Sequence, residues 1–403
     1  MMTSPHGRPA CCALRACGTT LALTLLLDAS AAAQQPVEVP LDAEHWTLAG
    51  DSLRFGSFLG RQSLYLGKGV ALARGVELRD GTIEFDMAMV GRTRFLAPVF
   101  RARSADAFEM VMFRPVASGT IEAVQYQAGL NGGGTWQLFH GPDANATAEL
   151  PRDRWVRVRV ELAGVTAKVY LGDDPKPVLT VPRLALGYGS GGIGFWAGSF
   201  GNGAYFSNLR YTPDPRGYAA PAPADFAPGT VLDWELSGDR DAAAVRPGVL
   251  PDAASLRWEP VRAEPWKLHN GKPLGLVIIS RYRRSPETGA PSDPDSVMGG
   301  RVPRSKVVYA RTYVDADRDE YRRLHFGYSD GVVVFANGRP LFSGMNPYPF
   351  RDLGGVMETV GEAVYLPLRK GRNEIVLAVT EFFGGWGVWA RLDPPSMSVP
   401  AGH

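Results

Sequence analysis

The sequence predicts an all-β fold with two antiparallel β-sandwich domains. Apolar and polar residues alternate with period two in short runs, turns rich in Gly, Pro and Asp separate these runs, and no long stretch has the 3.6-residue period of a helix. A Pro- and Ala-rich segment divides the runs into two groups. The expected order is a signal peptide (1–33), a first sandwich (37–212), a linker (213–230) and a second sandwich (231–395).

The first residues have the pattern of a cleaved signal peptide. Arg8 and Arg15 form a positive region, Leu21–Leu27 is a short apolar run, and small residues follow it. We expect cleavage between Ala31 and Gln34 and export to the periplasm or the exterior. The apolar run is too short to span a bilayer, so no transmembrane anchor is expected in the mature chain.

Cysteine use and charge limit the chemistry of the mature protein. The only cysteines of the full sequence are Cys11, Cys12 and Cys17, and all three precede the predicted cleavage site. The mature protein therefore has no cysteine, so neither a disulfide nor a thiolate metal site is expected. The net charge is +2 and no basic block occurs. This balance argues against nucleic acid or a membrane surface as a partner.

The alternating runs of the first sandwich begin at Gly81. In Gly81–Met89, apolar residues on one face alternate with a face that carries Glu84 and Asp86. We interpret these two carboxylates as a solvated strand face. The remaining runs that predict strands here are Trp155–Leu162, Ala167–Gly172, Gly192–Gly198 and Ala204–Tyr211.

The second group of runs repeats the pattern. Asp330-Gly331 and Asn337-Gly338 predict tight turns, because these residues tolerate positive φ. Residues 285–303 lack apolar periodicity and predict a long exposed loop. The predicted strands are Gly275–Arg283, Ser305–Ala316, Tyr321–Ser329, Gly331–Gly338, Asn373–Phe382 and Gly387–Leu392.

The segment Val124–Gly141 predicts a hairpin with a turn at Gly132–Gly134, and its side chains suit sugar recognition. Aromatic rings stack on sugar CH groups, while planar amides and guanidinium groups orient hydroxyls. Three interpretations stay open: a solvent-facing sheet surface with Trp136 in the core, a ligand-binding concave face, or a catalytic groove. The candidate ligand-binding residues are Arg101, Arg114, Gln125, Tyr126, Asn131, Trp136, His140 and, in the second sandwich, Trp386.

Catalytic and metal-binding signals are sparse. Glu109 and Glu122 are the candidate acid/base residues if the protein is a hydrolase. The histidines have no metal-ligand spacing, so no catalytic metal or other cofactor is expected. Only the Asp-Gly turns at Asp80 and Asp330 offer oxygens for a structural Ca²⁺.

The first sandwich resembles the concanavalin A-like lectin/glucanase superfamily, including laminin-G-like modules and the 3-keto-disaccharide hydrolase group. The segments that carry the resemblance follow in order: GTIEFDM, VFRARSADAFEMVMFRP, RDRWVRVRVEL, AKVYLGD and GIGFWAG…YFSNLRY. The resemblance implies a jelly roll of two packed antiparallel sheets, one concave and facing the ligand.

The second sandwich resembles the galactose-binding-like jelly rolls that accompany glycoside hydrolases. GYSDGVVVFANGRPLFSG and LRKGRNEIVLAVTEFFGGWGVWARL carry this resemblance. It implies an accessory, non-catalytic module.

These observations lead to one functional hypothesis and two alternatives. The leading hypothesis is a secreted protein that binds a glycan on the concave face of the first sandwich. The first alternative is a glycoside hydrolase of the 3-keto-disaccharide hydrolase type. The second is a cell-surface interaction module that uses residues 285–303.

Overall fold

The computed structural model describes residues 35–198, 201–246, 248–286, 304–348 and 356–395. The predicted signal peptide and positions 287–303 of the predicted loop lie outside the described residues. The first thirteen strands are β1 (Val37–Glu38), β2 (Trp46–Phe58), β3 (Arg61–Ala73), β4 (Gly81–Met89), β5 (Leu96–Ser104), β6 (Ala107–Phe113), β7 (Val124–Leu130), β8 (Asn145–Ala146), β9 (Trp155–Ala163), β10 (Thr166–Leu171), β11 (Leu179–Val181), β12 (Gly192–Ala197) and β13 (Ala204–Pro213).

These strands form a 13-stranded antiparallel sheet. Its order is β11-β10-β9-β4-β13-β3-β12-β5-β6-β7-β8, with β1 paired to β13 and β2 paired to β3. The β2–β3 hairpin pairs Trp46 with Ala73 at one end and Phe58 with Arg61 at the other. Its two turn residues, Leu59 and Gly60, both have positive φ (44° and 73°), as the hairpin turns that match strand twist require.

Both halves of this sheet bury their inward side chains in one apolar core. Phe85 and Phe206 from one half lie in the same cluster as Val111 and Tyr126 from the other. Phe206 stacks on Phe195 with ring centroids 4.0 Å apart, and such a ring pair adds about 1 kcal/mol to the stability that area burial gives. The sheet therefore folds over into two facing layers, as in a sandwich.

The remaining strands form two smaller antiparallel sheets, one with seven strands and one with five. Their orders are β16-β14-β19-β24-β21-β22, with β15 paired to β19, and β17-β18-β25-β20-β23. Their bounds are β14 (Asp233–Leu236), β15 (Arg240–Asp241), β16 (Glu259–Arg262), β17 (Glu264–His269), β18 (Lys272–Ile278), β19 (Lys306–Ala316), β20 (Glu320–Ser329), β21 (Gly331–Ala336), β22 (Arg339–Met345), β23 (Glu362–Leu368), β24 (Gly371–Glu381) and β25 (Gly387–Leu392).

The 7-stranded and 5-stranded sheets enclose a second core. Leu236 and Leu377 from one sheet share a cluster with Phe326 and Val388 from the other. The opposite face of the 5-stranded sheet, at Leu276 and Trp389, belongs to the core cluster of the 13-stranded sheet. The two sandwiches are therefore packed against each other through apolar contacts.

The predicted all-β fold class is confirmed. The described residues contain strands and four short 3-10 turns (Pro115–Ala117, Ala242–Ala244, Ala253–Ser255 and Ile279–Arg281) and no α-helix. Predicted and observed strands coincide at β4 and β25 and differ by a few residues at the ends of most of the others.

The hairpin predicted for Val124–Gly141 is wrong in its second half. β7 ends at Leu130, and no strand occupies the described residues 131–141. Gln125 Nε2 instead donates to the carbonyls of Trp136 and Phe139 (2.9 and 2.6 Å), and Gln127 Oε1 accepts from Thr135 N (3.2 Å). Side-chain amides thus bind the returning backbone in place of a strand ladder, and this segment covers the outer face of β7.

The turn predicted at Asp330-Gly331 is also wrong. Asp330 is fully buried, and these two residues lack the positive φ that Asn337 and Gly338 adopt at the other predicted turn (50° and 80°). The carboxylate of Asp330 accepts from the backbone N–H groups of Phe382 and Phe383. It therefore ties neighbouring segments together and does not terminate a hairpin.

Candidate functional site

The outer face of β4, β9 and β13 carries a row of paired polar side chains. Ile83 and Phe85 of β4 point into the core, so Glu84 and Asp86 point outward. Across the ladder, β9 places Arg157 opposite Asp86, while β13 places Arg210 opposite Glu84. Opposite charges therefore alternate across neighbouring strands.

A β-bulge in β13 brings an amide into this row. The register with β4 shifts between Ser207 and Arg210, and Asn208 lies within the shift with a φ of 53°. Asn tolerates this left-handed conformation better than most residues, and a bulge redirects the side chain that it carries. The Nδ2 atom of Asn208 donates to Asp86 Oδ2 at 2.6 Å.

Both carboxylates are held by guanidinium groups. Arg210 donates from Nε and Nη2 to the two oxygens of Glu84, at 3.0 Å each, and this pairing raises the pKa of Arg210. Arg61 Nη1 lies 2.5 Å from Asp86 Oδ2. Glu84 and Asp86 are therefore oriented hydrogen-bond acceptors.

These side chains line an open cleft of about 420 Å³. Glu84, Asp86, Arg157, Asn208 and Arg210 form its polar wall together with Gln62. The opposite wall is the apolar segment of residues 39–41 that follows β1. The cleft thus combines planar hydrogen-bonding groups with an apolar side, which is the composition of many small-ligand sites.

Half-buried aromatic rings lie next to the cleft. Arg61, which pairs with Asp86, lies over the ring of Trp155 at 5.5 Å. Phe58 stacks on Tyr205 with centroids 3.8 Å apart and meets Trp155 edge-on at 6.0 Å. The outer face therefore continues from charged groups into a partly exposed aromatic surface.

A second polar cluster lies where the two sandwiches meet, and we call it the seam cluster: Arg114, Glu122, His140, Lys267 and Glu358. Arg114 Nη1 lies 2.5 Å from Glu122 Oε2, and His140 Nε2 lies 2.7 Å from Glu122 Oε1. On the other side, Glu358 lies 3.8 Å from His140 Nδ1 and 3.2 Å from Lys267 Nζ. Charges of opposite sign therefore alternate from the first sandwich to the second.

The ion pairs shift the pKa values of the seam cluster. Hydrogen bonds to Glu122 and then Glu358 raise the pKa of His140 to about 9, so the imidazole is charged at neutral pH. The hydrogen bond from His140 also holds the pKa of Glu122 below its usual range. Burial lowers the pKa of Lys267.

The structure brings several predicted site residues to this seam. Arg114 donates to Gln125 Oε1 as well as to Glu122, and His140 bridges to Glu358. Trp136 is half-buried and meets the rings of Tyr348 (5.3 Å) and Phe383 (6.0 Å).

Asn131 also lies at the junction. Its Nδ2 donates to the carbonyls of Ser280 and Arg281 in the second sandwich, at 2.8 and 2.9 Å. Its amide is therefore engaged within the protein.

Arg101 lies elsewhere, in the interior of the first sandwich. Its side chain is 2% exposed and donates to the carbonyls of Arg79, Gly164 and Gly187, with Asp80 Oδ1 3.5 Å away. Burial lowers its pKa, while the charge of Asp80 opposes this shift. Arg101 is therefore a buried structural group and does not join Arg114 and Trp136.

Three further predicted residues are buried without access to an open surface. Glu109 accepts from the hydroxyl of Tyr126 (2.7 Å) and from Leu186 N (2.6 Å), and burial raises its pKa. Trp386 is fully buried, and its Nε1 donates to the Val379 carbonyl. The predicted residues therefore do not converge on one groove, because β7 is covered and these side chains face interiors.

The two aspartates considered for Ca²⁺ have other partners. Asp80 accepts from Gly164 N (2.8 Å) and Tyr188 Oη (3.2 Å) beside Arg101. Asp330 accepts from Gln137 Nε2 as well as from two backbone amides, and burial raises its pKa to about 7. Over the described part of the chain, no group of three or more His, Cys, Asp and Glu side chains is arranged to hold a metal ion.

The outer-face cleft was not predicted, although part of the pattern that forms it is visible in the sequence. The alternation in Gly81–Met89 and Trp155–Leu162 already placed Glu84, Asp86 and Arg157 on outward faces. The other wall and the bulge at Asn208 depend on pairing between strands distant in sequence, which alternation does not specify.

Comparisons with known proteins give matches at the level of solved structures only. No family model matches the sequence, and no curated protein matches it. Carbohydrate-binding module CBM66 from Bacillus subtilis is 16% identical, with 42% of this chain and 95% of that chain covered and a TM-score of 0.32. A β-glucanase from Bacillus licheniformis is 13% identical, with 44% and 98% covered and a TM-score of 0.31.

A third similar structure is a putative glycosyl hydrolase from Parabacteroides distasonis. It is 13% identical, with 43% of this chain and 90% of that chain covered and a TM-score of 0.31. Each of these three matches covers less than half of this chain. We transfer no residue role or activity from them. For the second sandwich, the galactose-binding-like resemblance stays a prediction.

Within residues 35–395, as far as they are described, no helix combines the length and apolarity that crossing a bilayer requires.

Proposed function

We propose that this chain is an exported carbohydrate-binding protein whose first sandwich holds a glycan in the outer-face cleft of β4, β9 and β13. One observation carries the proposal: the cleft of about 420 Å³ presents carboxylate, amide and guanidinium groups beside an apolar wall. Sugar hydroxyls need planar donors and acceptors, and sugar CH faces need apolar contact. The proposed face differs from the surface around Gln125, because the returning segment covers that surface.

The fixed ion pairs support recognition of a neutral sugar. Arg210 and Arg61 already neutralise Glu84 and Asp86. The other two charged groups of the cleft, Arg157 and Glu38, are opposite in sign, so no net positive charge is left to select an anion. Each pair orients its oxygen and nitrogen atoms before a ligand arrives, which reduces the entropy cost of binding.

Hydrolysis stays a prediction without a supporting observation at this site. Glu109 is buried beneath Tyr126, and Glu122 is engaged with Arg114 and His140. Export likewise stays a prediction that rests on the N-terminal sequence pattern.

The test is calorimetric titration of the mature protein with a panel of neutral oligosaccharides. Arg157→Ala removes a cleft side chain whose partner, Asp173, is largely exposed, so folding is little affected. We expect about tenfold weaker binding, as for the loss of one hydrogen-bonding group. Gln62→Ala, at another position in the cleft, should weaken binding similarly.

Arg159→Ala is the matched control. Arg159 lies on the same strand and pairs with Glu161 over the ring of Tyr170, outside the cleft wall described above. The variant should bind like the unmodified protein. Equal losses in Arg157→Ala and Arg159→Ala, or no binding to any neutral oligosaccharide, would overturn the proposal.

A further inference from the structure

The second sandwich leaves part of its 5-stranded sheet open to solvent. Leu324 and Phe326 of β20 point into the core, so Tyr321 and Arg323 of the same strand point outward. Tyr365 of β23 lies directly opposite Arg323. The two rings are unusually accessible, since Tyr321 is 68% exposed and Tyr365 is 63% exposed.

We call Tyr321, Arg323 and Tyr365 the tyrosine face. Tyr321 pairs across the ladder with Pro367, so the two tyrosines occupy diagonal positions, with Cα atoms about 7–8 Å apart. Arg323 is next to both, directly opposite Tyr365 and two residues along the strand from Tyr321. Its guanidinium has no hydrogen-bond or ion-pair partner among the described residues.

The charged groups around the tyrosine face have partners of their own. His325 and Arg391, which follow on the same side of the sheet, share one carboxylate, Asp393, at 3.1 Å each. Glu320 does not balance Arg323, because it is largely buried on the opposite side of β20 and holds Arg322. Arg323 therefore forms no ion pair with either carboxylate, although Asp393 lies on its side of the sheet.

We propose that the tyrosine face binds an anionic, carboxylate-bearing polysaccharide. Two exposed rings on a pleated surface offer stacking positions for successive sugar rings. The free guanidinium beside them matches a uronate carboxylate, which it can bind through two parallel hydrogen bonds. This site is separate from the outer-face cleft and does not depend on neutral-sugar binding there.

The composition of the face favours a polysaccharide over a protein partner. Apart from the two rings, Pro367 and the small Ala363, the outward groups here are polar or charged. Protein interfaces instead need a larger apolar centre that excludes water. A chain of carboxylated sugars uses isolated rings and a single cation without such a centre.

The experiment is affinity electrophoresis of the full mature protein in gels that contain polygalacturonate, dextran or poly-L-glutamate. We expect retardation by polygalacturonate that falls at least about fivefold in Tyr365→Ala, Tyr321→Ala and Arg323→Gln. Tyr365→Phe keeps the ring and should retain binding. Arg262→Gln removes a comparably exposed arginine from the other sheet and should have no effect.

All these side chains are exposed, so melting temperatures should stay close to that of the unmodified protein. Equal retardation by poly-L-glutamate would show a response to charge alone and would overturn the proposal. So would equal binding by Arg323→Gln and Arg262→Gln. Arg157→Ala should leave polygalacturonate binding unchanged, which separates this test from that of the outer-face cleft.

Discussion

At the residue scale, Arg101 shows why a side-chain direction predicted from the alternation of apolar and polar residues can be wrong where the backbone is irregular. The sequence suggested a ligand-binding arginine on a central strand. In the structure Arg101 has a φ of 49° and lies where the pairing of β5 with β6 shifts register between Phe100 and Ser104. The shift turns the guanidinium inward, toward three carbonyl oxygens and Asp80. Alternation with a period of two residues fixes the direction of a side chain only where the strand pairs regularly with its neighbours.

Replacing Arg101 tests its structural role. Arg101→Met should lower the free energy of unfolding by about 3 kcal/mol, because it leaves the carbonyls of Arg79, Gly164 and Gly187 without their donor and removes one of the two cations beside the buried Asp80. Arg101→Lys should also destabilise the protein, since one ammonium cannot replace the planar guanidinium fork. Urea denaturation followed by circular dichroism measures both effects.

The control is Arg103→Met. Arg103 is exposed, and its Nη2 donates to the carbonyl of Leu186. We expect a change below about 1 kcal/mol. A comparable loss in Arg101→Met and Arg103→Met would contradict the structural role of the buried arginine.

At the element scale, strands with uninterrupted alternation could be predicted from the sequence. β4 has its predicted bounds because its apolar residues alternate without a break. β2 and β3 escaped prediction although each has 13 residues. Gly50 and Gly56 interrupt the alternation of apolar and polar residues in β2. The turn between β2 and β3 is Leu59-Gly60, which is not one of the Asn-Gly or Asp-Gly pairs that predict a hairpin.

The segment that follows β7 shows a second limit of prediction. The sequence shows the side chains of Gln125, Trp136 and His140 but does not show which residues they contact in the folded protein. Those partners include Glu358 and Tyr348, more than 200 positions further along the chain. Contacts between distant segments therefore decided which candidates meet at the seam.

His140 makes the stability of the seam depend on pH. Its pKa is about 9 in the folded protein, above the unfolded value of about 6.5. The imidazolium therefore contributes its full stabilisation below about pH 6.5 and loses it as the pH rises through about 9. We expect about 2 kcal/mol, after discounting for the exposure of Glu122 and Glu358.

Urea denaturation at pH 6 and pH 9.5 measures this dependence. His140→Gln should show a smaller stability difference between the two pH values than the unmodified protein. His45→Gln is the control, since His45 pairs with the exposed Asp42 near the start of the first sandwich. An unchanged pH difference in His140→Gln would contradict the assignment.

At the scale of the whole molecule, the two sandwiches share hydrogen bonds as well as apolar contacts. Gln137 is fully buried, donates to Asp330 Oδ1 and accepts from Ser329 Oγ. Trp266 Nε1 donates to the carbonyl of Leu138 at 2.7 Å. The Pro-rich segment in the sequence suggested two bodies on a linker, and composition alone does not reveal how closely they pack.

These contacts predict one cooperative unfolding transition for the mature chain. Calorimetric and van't Hoff enthalpies should agree, because opening the seam exposes buried polar groups. Gln137→Ala removes two hydrogen bonds across the seam and should split or broaden the transition. Gln127→Ala removes a buried glutamine that bonds within the first sandwich and should lower stability while the transition stays single.

The close packing of the two sandwiches also has a consequence for multivalency. A flexible tether would let two binding surfaces sample many separations, so that polymers of many lengths could engage both. Here apolar contacts such as those of Leu276 and Trp389 hold the surfaces at one distance. For a polysaccharide that contains both neutral and carboxylated sugars, avidity should therefore be selective for chain length: a polymer too short to reach both proposed surfaces gains nothing, and one that spans them gains strongly.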